Sequence, residues 1–242
     1  MKKITKYIPT IILTLLCSCS DYLDIVPDNV TTLDIVFNNR NTAERYLANC
    51  YHFVPDHGSV KRIPGMGAGH ECWFYTTNDS HFDNEVSFYI ARGLQNIDAP
   101  YANYWDGEGG SNLPMFRAIR ECNIFLDYVR DQHKVNDLTD SERKRWIAEV
   151  NVLKAYYHFF LFEHYGPIPI VDKALPVSTD PEGVKVTRMP VDQIVDYMVK
   201  LIDDSYKDLP PVITMEATEM GRLTQPAALA LKAKILLWAA SP

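Results

Sequence analysis

Residues 145–171 read RWIAEVNVLKAYYHFFLFEHYGPIPIV, and the fold turns on how this stretch is covered. One apolar stripe is Trp146, Val150, Leu153, Tyr157 and Phe160; a second is Ala148, Val152, Ala155, Phe159 and Phe162. At about 3.6 residues per turn the two stripes start about 200° apart. A helix that is apolar on opposite sides has to be covered on both, so this is an inner helix of a stack. Thr139 followed by Glu142 opens it with a capping box. Gly166-Pro167-Ile168-Pro169-Ile170-Val171 stops it and begins an extended segment, because proline cannot continue a helix and biases the residue before it towards extended backbone.

Working outward, a second helical period runs over 115–132, with Phe116, Ile119, Cys122, Leu126 and Val129 on one face. Upstream, Asn41 and Glu44 read as a capping box before Ala43, Tyr46, Leu47, Cys50, Tyr51 and Val54, an i, i+3, i+4 pattern that Pro55 ends. Downstream, loop signals at Pro176, Pro181, Gly183 and Pro190 precede a helix over 191–207, with Val191, Ile194, Met198, Leu201 and Ile202 inward. After Pro210-Pro211, Thr224 caps a fifth helix that tolerates Pro226 in its first turn. Its Ala227, Ala230, Ala233 and Ala240 are small enough to let a neighbouring helix approach. The expected fold class is therefore mainly α, a tetratricopeptide-like helical repeat array without the strict consensus of about 34 residues. The sequence stops at Ser241-Pro242, directly after a helix with no packing partner downstream, so the expectation is the front part of a longer protein.

Between the first two helices lies a different kind of chain. Residues 55–114 hold eight of the eleven glycines, among Trp73, Tyr75, Phe82, Phe88, Tyr89, Tyr101, Tyr104 and Trp105. Long weakly periodic insertions within compact domains tend to be functional or disordered, and this density of aromatics argues against disorder.

The N-terminus carries Lys2, Lys3 and Lys6, then a short apolar run over 8–16. That run falls below the ~20 apolar residues needed to span a bilayer and reads as a secretory leader. Leu16-Cys17-Ser18-Cys19 has the form of a bacterial lipobox, with Cys19 the lipidated residue and new N-terminus. Cys17 fits worse, since Leu15 and Leu16 would stand where small residues belong. This divides the chain into a signal peptide at 1–18, a tether at 19–40 and a helical domain at 41–242. The whole chain has 24 basic and 31 acidic side chains, a formal net charge of −7; losing the three leader lysines makes it −10. Such a balance argues against nucleic acid as a partner. The remaining Cys50, Cys72 and Cys122 are odd in number and lack CxxC spacing, so they suggest no disulfide framework; Cys50 and Cys122 fall on apolar helix faces and read as buried thiols.

Several stretches together resemble one family, the SusD/RagB-type lipoproteins of Bacteroidetes. CSDYLDIVPDN (19–29) resembles the family's opening after the lipidated Cys, and RAIRECNIFLDYV (117–129) looks like its "IR.CN.FL" helix. The 145–171 stretch, with AYY and then YG-x-(I/V)-P, is similar to its most recognisable part, and GRLTQPAALALKAKILLWAASP (221–242) to a later helix. The matches run in order over nearly all of 19–242. There are two departures: Lys154 stands where the family usually has Arg, and the chain is about half the usual length. The resemblance implies a tetratricopeptide-based, lipid-anchored protein of the outer membrane, exposed at the cell surface. It also implies pairing with a SusC-like TonB-dependent transporter and capture of glycan or another nutrient oligomer.

Sugar rings offer apolar C–H faces and polar rims, so a binding site needs aromatic platforms with amide, carboxylate or guanidinium groups nearby, and no nucleophile. ECWFYTTNDSHFDNE (71–85) supplies Trp73, Tyr75, Asn78 and Asp79, and YANYWDGEGG (101–110) supplies Tyr101, Tyr104, Trp105 and Asp106. The competing structural role for each ring is packing the insertion against the helices. Asp79, Asp83 and Glu85 lack EF-hand spacing and read as a solvated loop rather than a calcium site. Glu71, Asp79, Asp83, Glu85 and Glu108 include carboxylates enough for a glycosidase pair, but none of GxSxG, HExxH or a Walker pattern occurs. His158 and His164 lie six apart and face different ways on a helix. The expectation is a non-catalytic binder with neither metal nor cofactor. The rival from another class is a tetratricopeptide-type protein-interaction scaffold on the cell envelope. Labelled palmitate is expected on the purified protein, in the membrane fraction; unlabelled polypeptide in the cytosol would overturn the anchor at Cys19.

Overall fold

The computed structural model describes residues 32–58, 65, 67–69, 86–98, 100–107, 113–176 and 182–241. The chain divides into two units between Val36 and Phe37. Of the first, the described part is one helical turn, α1 (Leu33–Val36). Thr32 opens it, its Oγ1 accepting from the Ile35 amide at 3.4 Å and its carbonyl from Val36 at 3.1 Å. The second unit contains α2 (Arg40–His52), α3 (Val86–Ala91), α4 (Met115–Arg130), α5 (Asp140–Tyr165), α6 (Val191–Asp203), α7 (Glu216–Glu219) and α8 (Gln225–Ala239). Two 3₁₀ turns, Glu182–Val184 and Tyr206–Asp208, complete the regular structure among the described residues.

The inner helix is α5. From Ala148 to Phe162 every residue but Tyr156 is buried, as the two opposed stripes require. Its neighbours are α4, α6, α2 and α8. The capping box at its start forms: Thr139 Oγ1 accepts from the Glu142 amide at 3.3 Å, and the Glu142 carboxylate accepts from the Thr139 amide at 3.3 Å. Cys50 and Cys122 are both free and fully buried.

Four features depart from the sequence expectation. Helix α2 starts one residue before Asn41, and its cap is Asn39, whose Oδ1 accepts from the Thr42 amide at 3.1 Å. Asn39 and Asn41 offer the same side chain two residues apart, and the earlier position leaves Glu44 free to pair with Arg40 at 3.0 Å. The core reaches back to Phe37, whose ring is fully buried and stacks on Tyr128 at 4.5 Å, so the last residues of the expected tether belong to the packed unit. Helix α6 ends at Asp203 rather than 207, giving way to the 3₁₀ turn at 206–208. In α8 the buried residues are Ala228 and Ile235, while Ala227, Ala230, Ala233 and Ala240 are exposed; the small-residue face is not the one that packs among the described residues.

A helix buried on all sides also buries its polar side chains, and burial without a partner costs about 1–3 kcal/mol or more per group. Each is met by an irregular segment. Arg143 donates to four carbonyls, Val129 at 2.6 Å, Asp131 at 3.3 Å, Lys134 at 3.1 Å and Val135 at 3.0 Å, and so clamps the α4–α5 connection. The clamp holds Val135 at φ 50, a left-handed conformation that a β-branched residue adopts only when its surroundings impose it; the Val135 amide is also fixed, to the Phe37 carbonyl at 3.1 Å. Asn151 bonds to Ser205 Oγ at 3.0 Å and tethers the turn after α6.

Glu149 is fully buried. It accepts from Arg145 at 2.9 Å, from Arg222 through both oxygens at 2.8 and 3.1 Å, and from the Tyr51 hydroxyl at 2.7 Å. Glu219 bridges the two arginines at 2.9 and 3.2 Å. This network binds the segment before α8 to α2 and α5. Removing one partner of a buried ion pair strands the others, so Glu149→Ala is expected to lose about 3–5 kcal/mol in denaturant unfolding. The exposed Lys185 and Glu182 are 3.3 Å apart, and Lys185→Ala should change stability by less than about 0.5 kcal/mol.

Candidate functional site

The GPIPIV segment forms one wall of an open cleft, and its geometry follows from local chemistry. Gly166 ends α5 at φ 66, its amide returning to the Phe162 carbonyl at 2.9 Å. Pro167 and Pro169 then hold the backbone extended. No strand pairs with this segment among the described residues, so its polar groups must find other partners. The Ile168 carbonyl accepts from the Met189 amide at 2.9 Å. The Val171 amide lies 3.4 Å from His158 Nε2, and the Val171 carbonyl accepts from Asn123 Nδ2 at 3.1 Å. Lys154 Nζ donates to the Asp172 carbonyl at 2.8 Å and to its carboxylate at 2.9 Å, and the Tyr197 hydroxyl donates to the same carboxylate at 3.0 Å.

Side chains alternate along an extended chain. Pro169, Val171, Lys173 and Leu175 accordingly share one wall of the cleft. Facing them are Phe116 and Arg120, one turn apart on α4, with Trp105 from the 100–107 loop and Val186 from beyond the 3₁₀ turn. The cleft has a volume of about 350 Å³. Arg120 Nη1 donates to the Leu175 carbonyl and ties the two walls together.

Trp105 is partly exposed. Its ring meets Phe116 edge-on at 4.6 Å and Tyr165 at 5.5 Å, and the Arg188 guanidinium lies 5.0 Å from its centroid. Arg188 also donates to the Pro167 carbonyl at 2.8 Å. Behind the tryptophan, Gly107 sits at φ 85 against Pro114, where a Cβ would meet ring and backbone atoms at 2.8–3.0 Å; only glycine allows the loop to close this tightly before α4.

Of the sequence-derived ligand residues, Trp105 alone faces the cleft among those described. Tyr104, its neighbour, is fully buried, edge-on to Phe160 at 4.9 Å and His164 at 4.7 Å. Its carbonyl receives the Met115 amide at 2.9 Å and its amide donates to the Tyr165 hydroxyl at 2.8 Å. Burial pushes its phenol above the usual range. A sugar ring has no face of Tyr104 to stack on, which corrects the expectation for that residue: its ring is needed to bury the end of α5. Tyr101 stacks on Tyr89 at 4.4 Å, and Asp106 is exposed, accepting from Asn103 at 2.5 Å. Trp73, Tyr75, Asn78, Asp79 and Cys19 lie outside the described residues. Sequence reading missed Phe116, Arg120, Lys173 and Arg188; only Lys173 carried a signal, the two-residue alternation continuing from Pro169.

A family model described as SusD-like, starch-binding associating with outer membrane, matches residues 21–237. The chain belongs to this SusD-like family. Among solved structures, it is similar to BT4246, with 27% identity and a TM-score of 0.66 over 84% of this chain and 32% of that one. A laminarin-binding SusD-like protein gives 18% identity and a TM-score of 0.63, over 84% of this chain and 41% of that one. Surface glycan-binding protein A from Bacteroides uniformis gives 17% and 0.61, over 82% and 42%. The last two share the fold. The SusD-like chain thus spans less than half the length of each of these structures. No curated protein sequence matches it.

The wall of the cleft is pH-sensitive by construction. His158 is fully buried, its Nδ1 2.7 Å from the Lys154 carbonyl. Burial lowers its pKa to about 4, the hydrogen bond to Lys154 opposing. Burial also lowers the Lys154 ammonium, against the pull of Asp172. For Asp172, burial raises the carboxyl, but Lys154 and Tyr197 outweigh it and the net value falls below the ordinary one. A histidine depressed from 6.5 to about 4 favours the neutral form in the folded state. Its contribution is complete above pH 6.5 and is lost as pH falls towards 4. At about 1.4 kcal/mol per unit this is of order 3 kcal/mol. Urea titrations at pH 7 and pH 4.5 should show His158→Gln losing less stability between the two than the parent; equal losses would contradict the assignment.

Proposed function

We propose that this SusD-like chain is the front, helical part of a non-catalytic glycan-binding lipoprotein, anchored in the outer membrane through lipid on Cys19 and exposed at the cell surface. In this reading it hands oligosaccharide or another nutrient oligomer to a SusC-like TonB-dependent transporter. Family membership over 21–237 carries the reading, and the partly exposed Trp105 in an apolar cleft supports it. Among the described residues the cleft lining contains no carboxylate, whereas glycoside hydrolysis ordinarily needs a pair of them; its chemistry suits stacking and hydrogen bonding. Trp73, Tyr75, Asn78 and Asp79 are proposed as further ligand groups from the same insertion.

Retardation in polysaccharide-containing native gels tests this. The parent chain should be slowed by at least one glycan, and Trp105→Ala or Trp73→Ala should migrate faster there while running normally in plain gels. Binding of peptides alone would favour the interaction scaffold, and release of reducing sugar by the purified chain would favour a hydrolase.

A further inference from the structure

The charges around the cleft run against those of the chain. The protein as a whole is acidic, at −7, yet among the described residues the ionisable ones lining the cleft are Arg120 and Lys173, with Arg188 against the Trp105 ring. Several cations elsewhere are matched: Arg40, Arg145, Lys154, Arg222 and Lys232 each sit within 3.0 Å of a carboxylate. Among the described residues, none of the three cleft cations has such a partner. Arg120 and Arg188 bond only to main-chain carbonyls, and Lys173 is exposed.

The acids closest in sequence are engaged elsewhere. Asp172 takes the opposite side of the extended segment and bonds to Lys154 and Tyr197. Glu182 pairs with Lys185, and Asp106 accepts from Asn103. An extended chain that turns Lys173 into the cleft must turn Asp172 away from it, so the positive lining follows from the backbone. Arg120 is held by the Leu175 carbonyl, and a guanidinium has five N–H donors in a fixed fork, so most of its donors remain to be used in a fixed orientation.

Resting on the glycan-binding reading, we infer that this cleft takes an anionic sugar unit, a pyranose bearing a carboxylate or a sulfate ester. Its C–H face lies on Trp105 and Val171 and its anionic group meets Lys173 and Arg120. Charge-assisted hydrogen bonds are about twice as strong as neutral ones. The attraction is screened by salt, the Debye length falling from about 10 Å at 0.1 M to about 3 Å at 1 M.

Calorimetric titration of the full chain decides it, with polygalacturonate oligomers as the carboxylate probe, a sulfated galactan oligomer as the sulfate probe, and neutral laminarin and starch oligomers as controls. One or both anionic probes should bind more tightly than the neutral ones. Lys173→Ala should weaken that binding about tenfold, Lys173→Arg should restore most of it, and 0.5 M NaCl should reduce it. Lys173 is exposed, so Lys173→Ala is expected to keep the parent's thermal melt. Neutral oligomers binding as tightly as anionic ones, or anionic binding indifferent to Lys173→Ala, would overturn the anionic inference and leave glycan binding standing. Failure of every oligomer to bind would overturn both.

Discussion

Four irregular stretches among the described residues are fastened to buried polar side chains on one helix. Covering α5 on all sides removes Arg143, Glu149, Asn151, Lys154 and His158 from water, and none can remain there without partners. Their partners include four non-helical stretches: the α4–α5 connection, the segment before α8, the turn after α6, and the wall of the cleft, which meets both Lys154 and His158. Tyr157 adds the end of α2, donating to the Cys50 carbonyl. Apolar packing alone would hold the helices together without specifying where the loops lie. The buried polar groups supply that specification, because a loop displaced by one residue leaves a charge without its hydrogen bonds.

The cleft is a consequence of the same constraint. An extended segment without a neighbouring strand would ordinarily leave its amides and carbonyls to water. Here Asn123, His158 and Lys154 take the place of a strand, reading the Val171 and Asp172 backbone from α4 and α5. Those contacts fix the register of the segment, and the register decides which alternate residues face outward. A shift by one residue would put Asp172 or Ala174 where Lys173 now stands. The positions of the cleft's cations therefore depend on polar atoms buried well behind them.

Much of the helical framework was legible because its signals are periodic or local. The opposed stripes of 145–162 state that α5 is central, and Thr139 with Glu142 marks where it begins. Asn39 and Asn41 show the limit of such local signals, since either can cap; what separates them is the pairing of Arg40 with Glu44 one turn on and, across the packing, with Glu142. Arg143, Glu149 and Lys154 carry no local signal of the partners that meet them, because those lie on other segments: 129–135, Arg222 and Asp172. Tyr104 and Trp105 were indistinguishable as candidate platforms. They are adjacent and chemically alike, and the chain turns one into the core and the other towards the cleft. Arg120, Lys173 and Arg188 come from three separate stretches, and no spacing rule connects them before the chain is folded.

The size of the cleft shapes how such a site would work. At about 350 Å³ it lies near the small end of ligand pockets, about 300–1,000 Å³, and it is open to solvent. A cleft of this kind grips a short piece of a longer chain, and the modest contact area limits the free energy from any one engagement. A polymer offers the same unit many times over, so rebinding along the chain raises the effective concentration without any new contact. Under the proposed reading that suits capture ahead of transport: a ligand held by one aromatic ring, one fixed guanidinium and one exposed ammonium is selected by its repeat, yet remains loose enough to be released. Rigidity matters more here than depth, and it is delivered from behind, by the carbonyl that holds Arg120 and the buried histidine and lysine that hold the extended segment.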